Sequence, residues 1–255
     1  MVLAPDKFYK ARITYRRDLA PDLWIIRVAP SREYKFVAGQ FATLGVPVLG
    51  THIERPYTIV SSPYEHEMEF FLELVPQGEL TQVLHTVPVG AELSLRKIAK
   101  GRFTLDLGSA HRNHLLVCTV TGVAPYVSYV RTLYADWKQN RFPADIHLYL
   151  IQGASRSWEF GYREELEAIA AEVPWLKYVP TVSRFWEDTS WTGERGRVDD
   201  LIRKYADLWQ LTGADTTAYL CGHPLMAENG IGILERAGFA KTSIRQEAYW
   251  TPKDS

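Results

Sequence analysis

Leu115-Leu116-Val117-Cys118-Thr119-Val120-Thr121-Gly122-Val123-Ala124-Pro125 decides how the second half of this chain folds. Leu115–Val120 is a continuous apolar run of strand length, the pattern of a strand buried on both faces. It enters a turn of small residues, and Pro125 suits the first turn of a helix. Tyr126, Val130, Leu133 and Trp137 then recur at helical spacing. The same strand-then-helix unit repeats towards the C-terminus. Strands are predicted at Ile146–Gln152, Leu176–Val182, Ala218–Cys221 and Ser243–Tyr249. Helices are predicted from about Glu159 (Leu166, Ile169 and Val173 inward), at Val198–Leu208 and at Pro224–Ala237. Such alternation implies right-handed crossovers and a parallel sheet, here five-stranded.

Towards the N-terminus the pattern changes. Short strands separated by turns are predicted at Tyr9–Tyr15, Leu23–Val28, Phe41–Val46, Tyr57–Val60, Met68–Val75 and Glu92–Arg96, with one short helix at Glu79–His85. Met68, Phe70, Leu72 and Leu74 share one face of the fifth strand; Glu69, Phe71 and Glu73 make the other only half apolar. This is the pattern of an antiparallel Greek-key barrel. The polar segment Leu107–Asn113 marks the change, so two domains are expected, 1–108 and 109–255.

Composition narrows the function classes. The 255 residues carry a formal net charge of −1, without the excess of basic residues that suits nucleic acid or an anionic membrane. No apolar run is long enough to span a bilayer, and the N-terminal residues lack a signal-peptide layout. The two cysteines, Cys118 and Cys221, lie far apart in apolar stretches. They read as buried thiols of a cytoplasmic protein and are too few for a four-thiolate cluster. No metal site is expected.

Several stretches suit phosphates. In Arg55-Pro56-Tyr57-Thr58, an extended run points Arg55 and Tyr57 the same way, and Pro56 biases the chain towards that geometry. A guanidinium for phosphate, a ring for a planar ligand and a hydroxyl for its edge stand together there, although the run also reads as a plain strand with an exposed arginine. Gly78-Glu79-Leu80-Thr81 opens the lone helix, either as a cap or as a pyrophosphate site. In a parallel sheet, ligands bind beyond the carboxyl ends of the strands. Those ends carry Thr121-Gly122-Val123-Ala124-Pro125, Gln152-Gly153-Ala154-Ser155-Arg156, Val182-Ser183-Arg184 and Cys221-Gly222-His223-Pro224. Two neighbouring ends deliver Ser-Arg, which suits a 2′-phosphate; Arg195 and Arg197 could join them. The first acid after the second strand, Glu159, lies several residues on. Cys221 is either a buried structural thiol or the residue met by an entering nicotinamide ring.

Taken in order, and with Gly39-Gln40-Phe41, Gly101-Arg102-Phe103 and the ending Gln246-Glu247-Ala248-Tyr249-Trp250, these motifs resemble the ferredoxin–NADP(+) reductase family, in its short bacterial form. The resemblance covers nearly the whole chain. It implies FAD on the barrel, with Arg55 at the pyrophosphate, Pro56 between, Tyr57 on the isoalloxazine and Thr58 near flavin N5. It implies further that Phe71, Leu72, Glu73 and Leu74, and Glu79, Leu80 and Thr81, line the cofactor with their backbone, and that Trp250 stacks on it. Thr121 would contact FAD or the NADP pyrophosphate. Ser155, Arg156, Arg184 and Arg197 would hold the 2′-phosphate. Cys221 and Glu247 would border the nicotinamide. Two positions depart from the family pattern. Val120 replaces the usual glycine before Thr121, and the second-strand arginine comes one place late, as Arg156 behind Ser155; both bear on the preference for NADPH over NADH. The implied activity is hydride exchange with NADP(H) and single-electron exchange with ferredoxin or flavodoxin. Arg16, Arg17, Lys97, Lys100 and Arg102 are offered as a basic patch for an acidic carrier. A free-flavin or quinone reductase, an electron-transfer subunit of a larger assembly and a non-catalytic nucleotide-binding protein are the alternatives.

Overall fold

A computed structural model describes residues 7–48, 51–143 and 145–249. The first sheet contains β1 (Phe8–Ala20), β2 (Leu23–Pro30), β3 (Phe41–Val48), β4 (Thr51–Thr58), β5 (Met68–Glu73) and β6 (Glu92–Arg96), with α1 (Glu79–Thr86) between the last two. Their order is β4-β3-β6-β1-β2-β5, and every pairing is antiparallel. Alternation sets the inner face: Ala11 and Ile13 of β1, Leu93 and Leu95 of β6, and Ala42, Leu44 and Val46 of β3 are all buried. The sheet curls around this core, and α1 closes it with Leu80 and Leu84.

The expected fourth strand is displaced. β4 runs from Thr51 to Thr58, so Tyr57 and Thr58 end it rather than begin it. Pro56 is tolerated inside because β4 is the edge strand of the sheet.

The second sheet follows as β7 (Asn113–Thr119), α2 (Ala124–Lys138), β8 (His147–Ala154), α3 (Arg163–Glu172), β9 (Leu176–Val182), β10 (Glu194–Arg195), α4 (Val198–Leu208), β11 (Thr216–Gly222), α5 (Pro224–Arg236) and β12 (Ile244–Ala248). It is parallel, in the order β10-β9-β8-β7-β11-β12. The five expected strands are present, and the two-residue β10 adds a sixth at the edge. α3 starts at Arg163 rather than Glu159, because Gly161 takes a φ of +66° just before it. None of the helices among the described residues is long and apolar enough to cross a membrane.

The two sheets share a core. Leu23, Ile25 and Phe71, on the outer face of β2 and β5, belong to the same buried cluster as Leu116, Val127 and Tyr129 of the second sheet and α2. The half-apolar face of β5 is therefore a contact surface, and each such side chain contributes about 1.5–3 kcal/mol by leaving water. An ion cluster completes the seam. Arg131 on α2 lies 3.1 Å from Glu69 of β5 and 2.6 Å from Glu165 of α3, while Arg27 holds the other oxygen of Glu69 at 2.6 Å. Glu69 is only 3% exposed, so this pairing is sheltered from water.

Candidate functional site

β8 and β11 leave β7 on opposite sides, so the chain reverses direction between β7 and β11. A crevice opens at such a point, beyond the carboxyl ends of the strands. Here it faces the curled sheet and forms a cleft of ≈ 860 Å³ between the two halves, within the range of ligand sites. Two close approaches shape its floor. A Cβ on Gly222, at a φ of +120°, would lie 2.4 Å from the Thr119 hydroxyl, and one on Gly122 would lie 2.4 Å from the Cys221 carbonyl oxygen. The Thr119 hydroxyl accepts the backbone N–H of His223 at 2.9 Å, pinning the two strand ends together.

Val120 follows Thr119 and begins a 3₁₀ turn, Val120–Val123, at a φ of +40°. That is strained backbone for a β-branched residue, and one that a glycine would adopt without strain. Its side chain packs against the cluster of Ala154, Phe160, Val182 and Trp191, and the residue lines the cleft.

On the opposite wall, Arg55, Pro56, Tyr57 and Thr58 all line the cleft. The Tyr57 hydroxyl is buried with no hydrogen-bond partner, and burial pushes its pKa up. Arg55 pairs with Glu79 at 3.0 Å, in the first turn of α1. Gly78 caps that helix with no side-chain bond, and a Cβ there would lie 2.6 Å from the Thr81 hydroxyl. The first-turn N–H groups of a helix have no intrahelical acceptor, so Glu79, Leu80 and Thr81 present them at the cleft wall. The Thr81 hydroxyl itself faces its own loop, accepting from Val75 N at 3.2 Å. Phe71, Leu72, Glu73 and Leu74 continue the wall, with the Leu72 side chain turned into the core.

A hydrogen-bonded group crosses the seam. Thr58 donates to Glu247 at 3.2 Å. Parallel pairing sets Glu247 beside Cys221. The Tyr249 hydroxyl lies 3.2 Å from the Thr121 carbonyl oxygen and 3.5 Å from the Thr58 hydroxyl. Burial raises the pKa of Glu247, and the Thr58 bond opposes that shift. Glu73 is likewise raised by burial, opposed by a bond from Thr121. Cys221 is fully buried and does not line the cleft; Tyr249 bonds to its thiol, whose pKa burial pushes well up. Tyr249 and Glu73 carry more of this geometry than the sequence suggested. Tyr249 stands two residues beyond Glu247, a spacing that by strand alternation puts both on one face. Trp250, expected to stack on the cofactor, lies outside the described residues.

At the far end of the cleft, Ser155 and Arg197 line the wall beside Ser183, while Arg156 and Arg184 flank it. None of the three arginines stands without a carboxylate. Arg156 bonds Glu187 at 2.8 Å and Glu159 at 3.3 Å, Arg184 lies 3.8 Å from Glu187, and Arg197 lies 3.2 Å from Asp199. Glu159, five residues beyond the end of β8, folds back to accept Ser155 N at 2.8 Å.

Four of the five basic residues offered as a patch divide into two sets. Arg16 bonds the His85 carbonyl at 2.7 Å and Arg17 the Gly161 carbonyl at 2.8 Å, late in β1. Lys97 follows Arg96, which pairs with Phe8 at the start of β1, and Lys100 pairs with Phe41. Phe8 and Arg16 lie eight residues apart along extended β1, so one continuous patch does not form.

Comparisons with known proteins agree with this architecture. The oxidoreductase FAD-binding domain family matches residues 10–105, and the oxidoreductase NAD-binding domain family matches 116–230. The chain is 32% identical over 221 residues to ferredoxin–NADP reductase B of Sorangium cellulosum, covering 84% of this chain and 86% of that one. It is 31% identical over 258 residues to the ferredoxin–NAD(P)(+) reductase component of naphthalene 1,2-dioxygenase/salicylate 5-hydroxylase systems of Ralstonia sp, covering 98% and 71%. The solved ferredoxin NADP+ reductase of Neisseria gonorrhoeae, with bound FAD and NADP, superposes with a TM-score of 0.83 at 25% identity, covering 96% and 99%. With an FAD-binding half, an NAD-binding half and a cleft between them, the chain belongs to the ferredoxin–NADP(+) reductase family of FAD-dependent oxidoreductases.

Proposed function

We propose that this protein exchanges hydride with NADP(H) and single electrons with a ferredoxin or flavodoxin, working in a cytoplasmic setting. The observation that carries the reading is the group Thr58, Glu247, Tyr249 and Thr121, in which both halves contribute polar side chains to one buried point of the cleft. FAD, when bound, supplies the conversion between two-electron and one-electron chemistry. The chain's own residues provide placement and charge. Arg55 and the first turn of α1 suit a pyrophosphate: a guanidinium stands beside helical N–H groups that no side chain caps. Tyr57 offers a buried ring, and its unpartnered hydroxyl calls for an acceptor that a bound ligand would bring. Thr58 presents a hydroxyl at the base of the wall. Glu247, whose pKa burial raises, accepts from the Thr58 hydroxyl and stands where a proton could be taken up or released at the cleft. Cys221 is buried behind the cleft wall and is not presented to a nicotinamide in this arrangement. Ser155, Arg156, Arg184 and Arg197 supply the polar rim for a 2′-phosphate. The unpaired, buried Cys118 and Cys221 support a reducing compartment.

A second reading has its own support, because several relatives are named as reductase components of oxygenase systems, among them the phenol 2-monooxygenase reductase component of Pseudomonas sp. strain CF600. Under it, the acceptor would be a partner of an oxygenase. One experiment tests both: anaerobic titration of the purified flavoprotein with NADPH and NADH, then turnover with added ferredoxin, flavodoxin, free flavin or quinone. Flavin bleaching and a rate gain with a one-electron carrier support the proposal. Bleaching with no gain from any ferredoxin or flavodoxin overturns the carrier assignment, and no bleaching overturns the reductase reading.

A further inference from the structure

We propose that Glu187 sets the nucleotide selectivity of the cleft by occupying the arginine pair that a 2′-phosphate would use; this rests on reading the cleft as an NAD(P)H site. Two Ser-Arg loops lie side by side at the carboxyl ends of β8 and β9. Ser183 N donates to the Ala154 carbonyl at 3.0 Å and Arg184 N to the Ser155 carbonyl at 2.9 Å, so neighbouring strand pairing continues into the loops. The arrangement brings Arg156 and Arg184 to the same carboxylate. Glu187 Oε2 accepts from both Nε (2.8 Å) and Nη2 of Arg156, while its other oxygen, Oε1, lies 3.8 Å from Arg184 Nη1. A guanidinium fork that spends Nε and Nη2 on a carboxylate oxygen has them no longer free for a phosphate oxygen, so the two anions are direct competitors.

A second carboxylate lies close by but is held differently. Glu159 accepts the backbone N–H of Ser155 at 2.8 Å and of Arg156 at 3.3 Å, so it is part of the loop's own hydrogen bonding. The Glu187 carboxylate meets the Arg156 and Arg184 side chains, and Glu187 ends the short 3₁₀ turn Phe185–Glu187. Two guanidiniums face two carboxylates, so the rim is balanced before any nucleotide arrives. A 2′-phosphate must displace Glu187 to reach the arginine forks, and the glutamate then remains nearby as a like charge. A nucleotide ending in a ribose 2′-hydroxyl disturbs neither pair. Glu187 therefore lowers the advantage of the phosphorylated nucleotide while leaving the site open to both.

The test uses the FAD-loaded full chain and a binding readout. Adenosine 2′,5′-bisphosphate and 5′-AMP are titrated in parallel by calorimetry against the parent and Glu187→Gln, which keeps the shape and removes the charge. The affinity ratio of bisphosphate to AMP should rise by roughly 3- to 10-fold, a size suited to a solvent-screened charge beside a dianion. Arg156→Ala added to Glu187→Gln should abolish the gain. An unchanged or reduced ratio overturns the proposal and leaves the NAD(P)H reading standing. If the parent binds neither nucleotide and its flavin is bleached by neither NADPH nor NADH, that reading fails and takes the inference with it.

Discussion

The two ends of the cleft are built on different principles. At the seam, Thr58, Glu247, Tyr249 and Thr121 are joined across the two halves by hydrogen bonds among buried and half-buried groups, and the Arg131–Glu69 pairing joins the same halves. At the rim, Arg156, Arg184 and Arg197 stand near water and are paired with carboxylates of their own half. Low dielectric at the seam makes each polar contact strong and costly to break, which suits a place where geometry must be fixed. Screened ion pairs at the rim are weak and exchangeable, which suits a place that must trade one anion for another.

The largest expected effect breaks the seam. Arg131→Ala leaves Glu69 buried with only Arg27 as partner and should lower unfolding free energy by about 3 kcal/mol, read from the urea midpoint. A loss under about 1 kcal/mol would put this cluster with ordinary surface pairs and erase the contrast. Next comes the rim. Arg184→Ala should weaken NADPH by about 2 kcal/mol, the worth of a hydrogen bond to a charged group, with NADH nearly unaffected. Equal losses for both nucleotides would remove Arg184 from the 2′-phosphate. The smallest effect probes burial behind the seam by pH. His114 is fully buried, and desolvation lowers its pKa from 6.5 to about 4. The unfolded chain therefore binds a proton between those values that the folded chain refuses, so stability falls as pH falls through that window. The loss should reach about 1 kcal/mol by about pH 5.5 and disappear in His114→Gln, measured by urea unfolding across the range.

Much of the fold was legible because burial on one or both faces leaves a periodic trace. The Leu115–Val120 run and the helical spacing from Tyr126 to Trp137 announce a strand and a helix whatever surrounds them. The displaced β4 was not legible, since an edge position makes Pro56 acceptable, and edge position depends on the order of strands. The role of Phe71 was hidden for the same reason. On a strand with two glutamates beside it the residue looks half exposed, and only the second half of the molecule covers it. Val120 was visible as an unusual residue where glycine is common, but its strained backbone belongs to the folded turn.

In the candidate site, the residue types at the strand ends were readable, and their pairings were not. By itself the sequence determined a curled antiparallel half, a parallel half, and the Ser-Arg and Arg-Pro-Tyr-Thr runs that mark the cleft, because propensity and periodicity act over neighbouring residues. Only the tertiary structure decided that Glu159 folds back onto its own strand end, that Glu187 lies against two arginines, that Tyr249 packs on the cluster holding Cys221, and that the basic residues of the barrel half separate. Those facts depend on which side chains from distant elements meet, and Coulomb pairing and burial act through space, without regard to separation along the chain.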